Sequence, residues 1–353
     1  MKQNPTIRDI AAAAGVHFTT VSLALRNDPR ISAQTRDRVR IVAERINYRP
    51  NPLVTALMAN VRSGRHAQQQ LTLGFCMHWE SIEGCWKIPT HRLFFEGAQA
   101  RAETMGYRLT AFNLNETGIS PQRWNRIFEA RGIRGIILGC FQTLIHEIPL
   151  NWPEFCAVRI DPNPRNPHLD TACTNQNQVV RVAFRQARAR QYKRIALAVH
   201  KFWDERLGDA FHAGYLTEQA EIPVKERIPA FRTYTWTQDA FNQWFKKARP
   251  DCIIGMDEVN VRGWLKALGV KVPGEVAFAD LDQKDTTGRV AGMRKHHTLL
   301  GATAVDMVIK KLQHNERGIP EYPKITLIAG KWIEGTSMRP LPPGTPDPTA
   351  FIG

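Results

Sequence analysis

The chain has 353 residues, 43% of them hydrophobic and 23% charged, and its 48 Lys/Arg against 33 Asp/Glu give a net charge of +15. That balance is typical of a soluble globular protein with more than one lobe. With no apolar run at the N-terminus and no Cys-x-x-Cys among the cysteines at 76, 85, 140, 156, 173 and 252, a signal peptide, a membrane span, a disulfide framework and a cysteine zinc site are not expected.

The first elements in chain order are three short helices. Thr6 can accept from an orphan N–H of a first turn, and Ile7, Ile10, Ala11 and Ala14 recur at helical spacing. Gly15 suits a residue leaving the helix with positive φ. A second helix is predicted from about Phe18 to Arg26, with Val21, Ala24 and Leu25 toward the first. Its other face carries His17, Phe18, Thr19, Ser22, Leu23 and Arg26. A third helix runs from an N-cap at Ser32 to Asn47, with Val39, Val42 and Ile46 as its buried seam and Arg36, Arg38, Arg40 and Arg45 mostly outside it. This order reads as a helix-turn-helix, which lays its second helix in the DNA major groove. Residues 1–65 hold eleven Lys/Arg against four Asp/Glu, so +7 of the total +15 sits in this unit. A basic face on a small helical unit is the electrostatic footprint of phosphate binding.

Arg49-Pro50-Asn51-Pro52 cannot continue the third helix. Asn51 is a good N-cap and Pro52 suits a first helical position, so a fourth helix is expected over Leu53–Asn60. It is largely apolar and too short to stand alone in water. Two copies side by side on DNA would give each a partner, with apolar side chains wedged into the minor groove.

Over these fifty residues the chain resembles the DNA-binding and hinge region of the LacI/GalR family of bacterial transcriptional regulators. The matches are Thr6-Ile7-Arg8-Asp9-Ile10-Ala11, Ala14-Gly15-Val16, Thr20-Val21-Ser22, Ile31-Ser32-Ala33-Gln34-Thr35-Arg36 and Ile46-Asn47-Tyr48-Arg49-Pro50-Asn51. The resemblance implies base reading by Phe18, Thr19 and Leu23 and a minor-groove wedge at Leu57. It also places Thr6, Thr20, Thr35, Asn51 and Ala56 in the DNA-facing set. Arg26, Arg30 and Arg36 are expected on phosphates. Where most members have Arg after Thr-Val-Ser, this chain has Leu23. A leucine packs on a thymine methyl instead of taking a guanine edge.

Residues 63–70 read as a polar linker. From Leu71 strand and helix signals alternate. Strands are expected at Leu71–Met77, Tyr107–Leu114, Ile133–Leu138, Phe155–Ile160, Arg194–Val199, Cys252–Met256 and Val276–Leu281. Helices are expected at Phe94–Met105, Pro121–Arg131, Asn175–Arg190, Arg206–Ala220, Gln238–Lys247, Val259–Leu268 and Thr298–His314. Alternation of this kind predicts parallel sheets covered on both faces. The same family resemblance continues here, through Phe95-Glu96-Gly97-Ala98, Gly132-Ile133-Arg134-Gly135-Ile136-Ile137, Tyr192-Lys193-Arg194-Ile195 and Val272-Pro273-Gly274-Glu275-Val276-Ala277 among others. It implies a two-lobed, periplasmic-binding-protein-like α/β domain with a ligand between the lobes. The expected organisation is a helix-turn-helix domain at 1–49, a hinge helix at 50–62, the linker at 63–70, a two-lobed domain at 71–338 and a tail at 339–353. The N-lobe would comprise 71–170 and 297–326, and the C-lobe 171–296 and 327–338.

Open α/β sheets bind ligands at the carboxyl ends of their strands. Strand ends nominate His78, Trp79, Phe141, Trp203, Asp257 and Asp282, whose rings and carboxylates suit a hydroxylated ligand. The family's ligand positions add Asn175 and Asp209. Asp209 replaces the arginine that sugar-binding members carry, and Thr174 replaces an aspartate before Asn175.

An enzyme reading finds no Gly-x-Ser-x-Gly, P-loop or post-strand Gly-x-Gly-x-x-Gly. His200-x-x-x-Asp204 and His296-His297 are too few donors for a metal site, so no catalytic residue, cofactor or metal is expected. A periplasmic solute-binding protein would share the large fold but lack the basic helices. An architectural DNA binder would differ only in an empty cleft. The sequence therefore points to a cytoplasmic, homodimeric repressor on a pseudo-palindromic double-stranded DNA operator, controlled by a small molecule, in this family most often a carbohydrate.

Overall fold

The computed structural model describes residues 7–25, 27–46, 48, 71–143, 147–163, 166–346 and 348–349. Thr6, Arg26, Asn51, Ala56 and Leu57 lie outside the described residues, and with them the expected hinge helix and linker.

Three helices form the N-terminal unit: α1 (Ile7–Ala14), α2 (Phe18–Ala24) and α3 (Ala33–Arg45). They bury Ile10, Ala11, Ala14, Val21, Ala24, Val39, Val42 and Ala43 against one another, with Ile7, Leu25 and Ile46 packed at the margin. Gly15 takes φ +64° and turns the chain from α1 to α2, a conformation a Cβ would strain. α2 stops short of Arg26 because Asn27 adopts φ +58° and donates its N–H to the Ala24 carbonyl. Ser32 Oγ accepts from Thr35 N at 3.3 Å and caps α3.

The first lobe is built from β1 (Thr72–His78), α4 (Ile82–Trp86), α5 (Pro89–Thr104), β2 (Arg108–Asn113), α6 (Pro121–Ala130), β3 (Gly135–Phe141), β4 (Cys156–Ile160) and β5 (Asp170–Thr174). The chain then enters the second lobe through α7 (Gln176–Ala189), β6 (Ile195–His200), α8 (Lys201–Arg206), α9 (Ala210–Ala220), β7 (Phe231–Thr233), α10 (Gln238–Ala248), β8 (Cys252–Gly255), α11 (Glu258–Ala267), β9 (Ala277–Asp280) and β10 (Ala291–Arg294). It returns with α12 (His297–His314) and β11 (Ile325–Ile328), and crosses once more to β12 (Lys331–Ile333). The sheet orders are β11-β5-β4-β3-β1-β2 and β12-β10-β9-β8-β6-β7. Every pairing is parallel except β10 with β12. Each sheet is covered on both faces by apolar side chains, as parallel sheets require.

Several elements differ from the expectations. The strands β5, β7, β10, β11 and β12 and the helix α4 are short, without a clear period of their own. β5 and β11 both lie in the first sheet, so the lobe boundaries fall after Thr174 and Ile328 instead of near 170 and 326. The helix expected over 206–220 starts only at Ala210, and Gly208 and Asp209, at φ +71° and +58°, separate it from a short helix over Lys201–Arg206 that was not expected. α5 starts earlier, with Pro89 in its first turn. It crosses α12 at a point where a Cβ on Gly97 would overlap the Thr298 carbonyl and one on Gly301 the Phe94 carbonyl. Among the described residues no helix is long and apolar enough to cross a membrane.

In both sheets the strand order reverses at the central pair, β1/β3 in one and β6/β8 in the other. The carboxyl ends of those strands carry His78, Phe141, His200 and Gly255. Such reversal points leave a crevice in which ligands bind.

Candidate functional site: the helical face and the inter-lobe cleft

On the N-terminal unit, burial of Val21 and Ala24 fixes the rotation of α2 and turns His17, Phe18 and Thr19 to solvent, with Thr20, Ser22 and Leu23 half-buried beside them. Phe18 is 47% exposed, although an aromatic ring in so small a unit has apolar surface to hide against. Its ring lies 4.2 Å from that of His17, and His17 Nδ1 is 2.8 Å from Thr19 Oγ1. The structure thus brings His17, Phe18 and Thr19 together as one surface. Of the expected phosphate contacts, Arg30 is exposed but bidentate on Asp28, at 2.9 and 2.8 Å. That pairing holds the Asp28 carboxyl down at about 2. Arg36 donates to the Asp28 carbonyl at 3.4 Å, and Thr35 Oγ1 pairs with Ser32 Oγ at 2.9 Å.

Between the lobes, side chains from strand ends and helix starts meet. Asp282, just past β9, accepts from His297 Nε2 at 2.8 Å. A carboxylate only accepts, so His297 carries its proton on Nε2 here. Lys284 Nζ lies 3.1 Å from Asp282 and donates to Thr90 Oγ1 of α5 at 3.3 Å. Arg206 Nη1 reaches across to the Gln142 carbonyl at 3.4 Å. Burial alone would raise the Asp282 carboxyl, but Lys295, His297 and Lys284 outweigh it and hold it well below the usual range. Lys295 is buried and its ammonium is pushed down by desolvation against the pull of Asp282, Asp280 and Asp161. Burial raises the Asp161 carboxyl, which Arg206, Lys295 and His297 oppose. Burial, then Arg206, His297 and Lys284, push the His91 imidazole down to about 4, so it is neutral at physiological pH. The cleft is therefore a set of opposed charges kept from water, where fields are strong. Two buried donor or acceptor atoms there, Trp79 Nε1 and His297 Nδ1, find no hydrogen-bond partner among the described residues. Buried polar atoms are rarely left this way.

Of the effector residues expected from sequence, Trp79 and Asp282 share this cleft. Asn113 fixes Trp79 by accepting from its backbone N–H at 3.0 Å and donating to its carbonyl at 2.9 Å, and its ring stands edge-on to His91 at 5.2 Å. His78 is half-buried over Phe141 at 6.5 Å. Phe141 itself is 1% exposed within the apolar core beneath β3, so its ring is withdrawn from any ligand. Asn175 uses its side chain to cap α7, accepting from Gln178 N at 3.1 Å. Trp203 is 43% exposed, with the Arg206 guanidinium 5.2 Å above its ring. Asp257, at φ +68°, accepts from Trp236 Nε1 at 2.7 Å. Asp209 is exposed and paired with Arg232, which also binds the buried Asp204 at 2.6 Å. Asp204 in turn accepts from Phe211 N at 3.0 Å and so caps α9. His200 accepts from Phe202 N at 3.2 Å, so His200 and Asp204 serve local structure.

Sequence reading missed His91, Asp161, Arg206, Lys295 and Trp236. His91 and Arg206 belong to the ends of helices, Trp236 follows a strand three residues long, and Asp161 and Lys295 sit at turns. Asp161 had a legible signal, since it follows an expected strand as Asp257 and Asp282 do. Arg232, which sequence reading also missed, lies opposite Asp209.

Residues 6–51 match the model for bacterial regulatory proteins of the lacI family. The chain is 38% identical over 78 residues to the HTH-type transcriptional regulator MalR of Staphylococcus xylosus, a match covering 22% of this chain and 21% of that protein. It is 24% identical over 323 residues to the uncharacterized HTH-type transcriptional regulator YkvZ of Bacillus subtilis, covering 87% of this chain and 89% of the relative. In fold it resembles a lac repressor dimer bound to operator and an anti-inducer, at TM-score 0.55, 17% identity and coverage of 96% and 100%. It likewise resembles the transcriptional regulator CelR in complex with cellobiose, at TM-score 0.57, 16% identity and coverage of 95% and 100%.

Proposed function

The chain belongs to the lacI family of bacterial regulatory proteins, and from that premise we propose that it is a dimeric repressor whose grip on a pseudo-palindromic operator is set by a hydroxylated small molecule, a carbohydrate, held between the lobes. It is a DNA-binding regulator and not an enzyme. The observation that carries the reading is the exposed ring of Phe18 on a face otherwise made of His17 and Thr19, with Ser22 and Leu23 beside it. Such a surface offers apolar contact to thymine methyls and hydroxyls to base edges. Thr6, Thr20, Arg26, Arg30, Thr35 and Arg36 are assigned to the duplex, largely its phosphates, and Asn51, Ala56 and Leu57 to a hinge helix that enters the minor groove.

In the cleft, Trp79, His78, Trp203, Asp257 and Asp282 are assigned to the effector, with Asn175 and Asp209 as supports behind them. Support comes from rings beside carboxylates and from the buried indole N–H of Trp79, which finds no acceptor among the described residues. Such walls stack on sugar faces and bind their hydroxyls.

Selection of binding sites from random duplex DNA tests the reading. The expected winners are inverted repeats with half-site centres roughly ten base pairs apart. Enrichment of single half-sites would remove the dimer, and no enrichment would remove sequence specificity. Thermal unfolding of the protein against mono- and oligosaccharides, nucleobases and sugar phosphates then seeks the effector, since a ligand of the folded form raises the midpoint by mass action. A rise confined to nucleobases would overturn the carbohydrate assignment.

A further inference from the structure

Beside the cleft, His91 meets two side chains from two other elements that have no part in the site described above. Cys85 lies in α4, His91 in the first turn of α5, and Cys140 next to last in β3. Their ligand atoms all lie within 4.8 Å of one another. Cys85 Sγ is 3.7 Å from His91 Nδ1, and Cys140 Sγ lies 3.9 Å from the His91 carbonyl. Exposures of 0%, 9% and 5% remove all three from the surface.

Cys140 would not face this way in a regular strand. Ile136 and Leu138 point to one side of the sheet and Ile137 to the other, so alternation assigns Cys140 to the side of Leu138. The register against β1 shifts between Cys76 and His78, and Cys140 adopts φ +63°. The irregularity reverses the alternation: Cys140 joins the Cys85 side and Phe141 takes the opposite one. Bulges re-aim side chains in this manner, and a non-glycine residue held in the left-handed region signals a local constraint.

We propose that Cys85, His91 and Cys140 form a binding site for one thiophilic metal ion, Zn²⁺. Two sulfurs and an imidazole nitrogen are the donor set that zinc prefers. Around a tetrahedral Zn²⁺ with Zn–S about 2.3 Å and Zn–N about 2.05 Å, a sulfur and a nitrogen stand about 3.6 Å apart. The Cys85–His91 separation of 3.7 Å is of that size. Binding would send the two thiol protons to solvent and leave both sulfurs as thiolates, so the cation enters with its charge neutralised. Three protein donors leave one coordination position open. The site ties α4 and α5 to the carboxyl end of β3, the segment that also positions Trp79 through its contact with His91.

The test uses the full chain, reduced, stripped with a chelator and titrated with Co²⁺ and then Zn²⁺. One equivalent of Co²⁺ should produce thiolate-to-cobalt charge transfer and tetrahedral d–d bands, and Zn²⁺ should displace it. Cys140→Ser should weaken Zn²⁺ binding more than about 100-fold, since losing outer-shell partners alone costs 10–100-fold. Cys76→Ser, in the core on the opposite face of the sheet, should keep the bands. Should Cys140→Ser fail to fold, Cys85→Ala is read in its place. Alkylation of the wild type supplies a mutation-free check, with Zn²⁺ shielding Cys85 and Cys140 relative to the other four cysteines. Absence of charge transfer in the reduced wild type overturns the proposal, as does a band that survives both substitutions. A Cys85–Cys140 disulfide that forms readily, with no metal taken up on reduction, would replace the metal site with a redox pair.

Discussion

The three-helix unit and the inter-lobe cleft handle polarity in opposite ways. Among the described residues of the helical unit, eight buried ones, all apolar, do the folding, and the side chains proposed to read DNA project outward with few claims upon them. The carboxylates among the candidate effector groups are already engaged with protein partners: Asp282 with His297 and Lys284, Asp257 with Trp236, Asp209 with Arg232. A surface of the first kind can be removed residue by residue without loss of fold. In the second kind, recognition and stability share the same atoms, so a ligand must exchange contacts with the protein's own partners.

The largest effect that would break this contrast lies beneath the helical face. Ile10 is fully buried, and Ile10→Ala should cost about 2–5 kcal/mol. At roughly 0.05–0.15 kcal/mol per residue, a unit of this length holds only about 2–6 kcal/mol. Ile10→Ala is therefore expected to abolish operator binding while the main calorimetric transition of the two-lobed part stays in place. A shift of that main transition would show that the two regions do not unfold separately.

Next comes the cleft. Asp282→Asn leaves Lys295 and Lys284 without their nearest shared carboxylate, and should destabilise the two-lobed part by roughly 3 kcal/mol. The pH dependence has a definite sign. The folded carboxyl sits below its ordinary 3.8, so its contribution is complete above that pH and is lost as pH falls below it. The wild type should lose midpoint in that acid range, and Asp282→Asn should lose less. Equal acid sensitivity in the two proteins would remove Asp282 as the responsible group.

Phe18→Ala tests the free surface. Specific affinity should fall by about 1–3 kcal/mol, as for one base contact, with thermal stability unchanged and non-specific binding nearly so. Equal losses on operator and random DNA would make Phe18 a structural residue.

The same contrast explains what could be read from the sequence. The helical unit is local: Ile10 with Ala14, Val21 with Ala24, and Val39 with Val42 stand at helical spacing within their own helices, and Gly15 marks the turn, so outward residues follow by subtraction. The parallel sheets were legible from alternating apolar runs, and strand ends led to the inter-lobe position of Trp79 and Asp282. The partners that complete the cleft, His91, Arg206 and Lys295, come from helix ends and a turn, at sites no period announces. The burial of Phe141 was not legible because the reversed alternation at Cys140 cannot be seen in Gly139-Cys140-Phe141 alone.

The smallest effect concerns a bidentate ion pair on the helical surface. Arg30 is bidentate on Asp28, and a phosphate would compete with that carboxylate for the same guanidinium. Arg30 is open to water and Asp28 partly so, and exposed pairs contribute little to stability, so the pair resembles a guard on Arg30 more than a brace for the fold. Asp28→Asn should then raise DNA affinity a few-fold, and most at low salt. If Arg30 takes a phosphate, Arg30→Ala should lower the log–log salt slope by about 0.9. In the Asp28→Asn background the slope should be no smaller than in the wild type. An unchanged slope in Arg30→Ala would mean that Arg30 only holds the turn before α3. Its pairing with Asp28 would then be part of the fold, and the helical face would share the self-engaged character of the cleft at that one point.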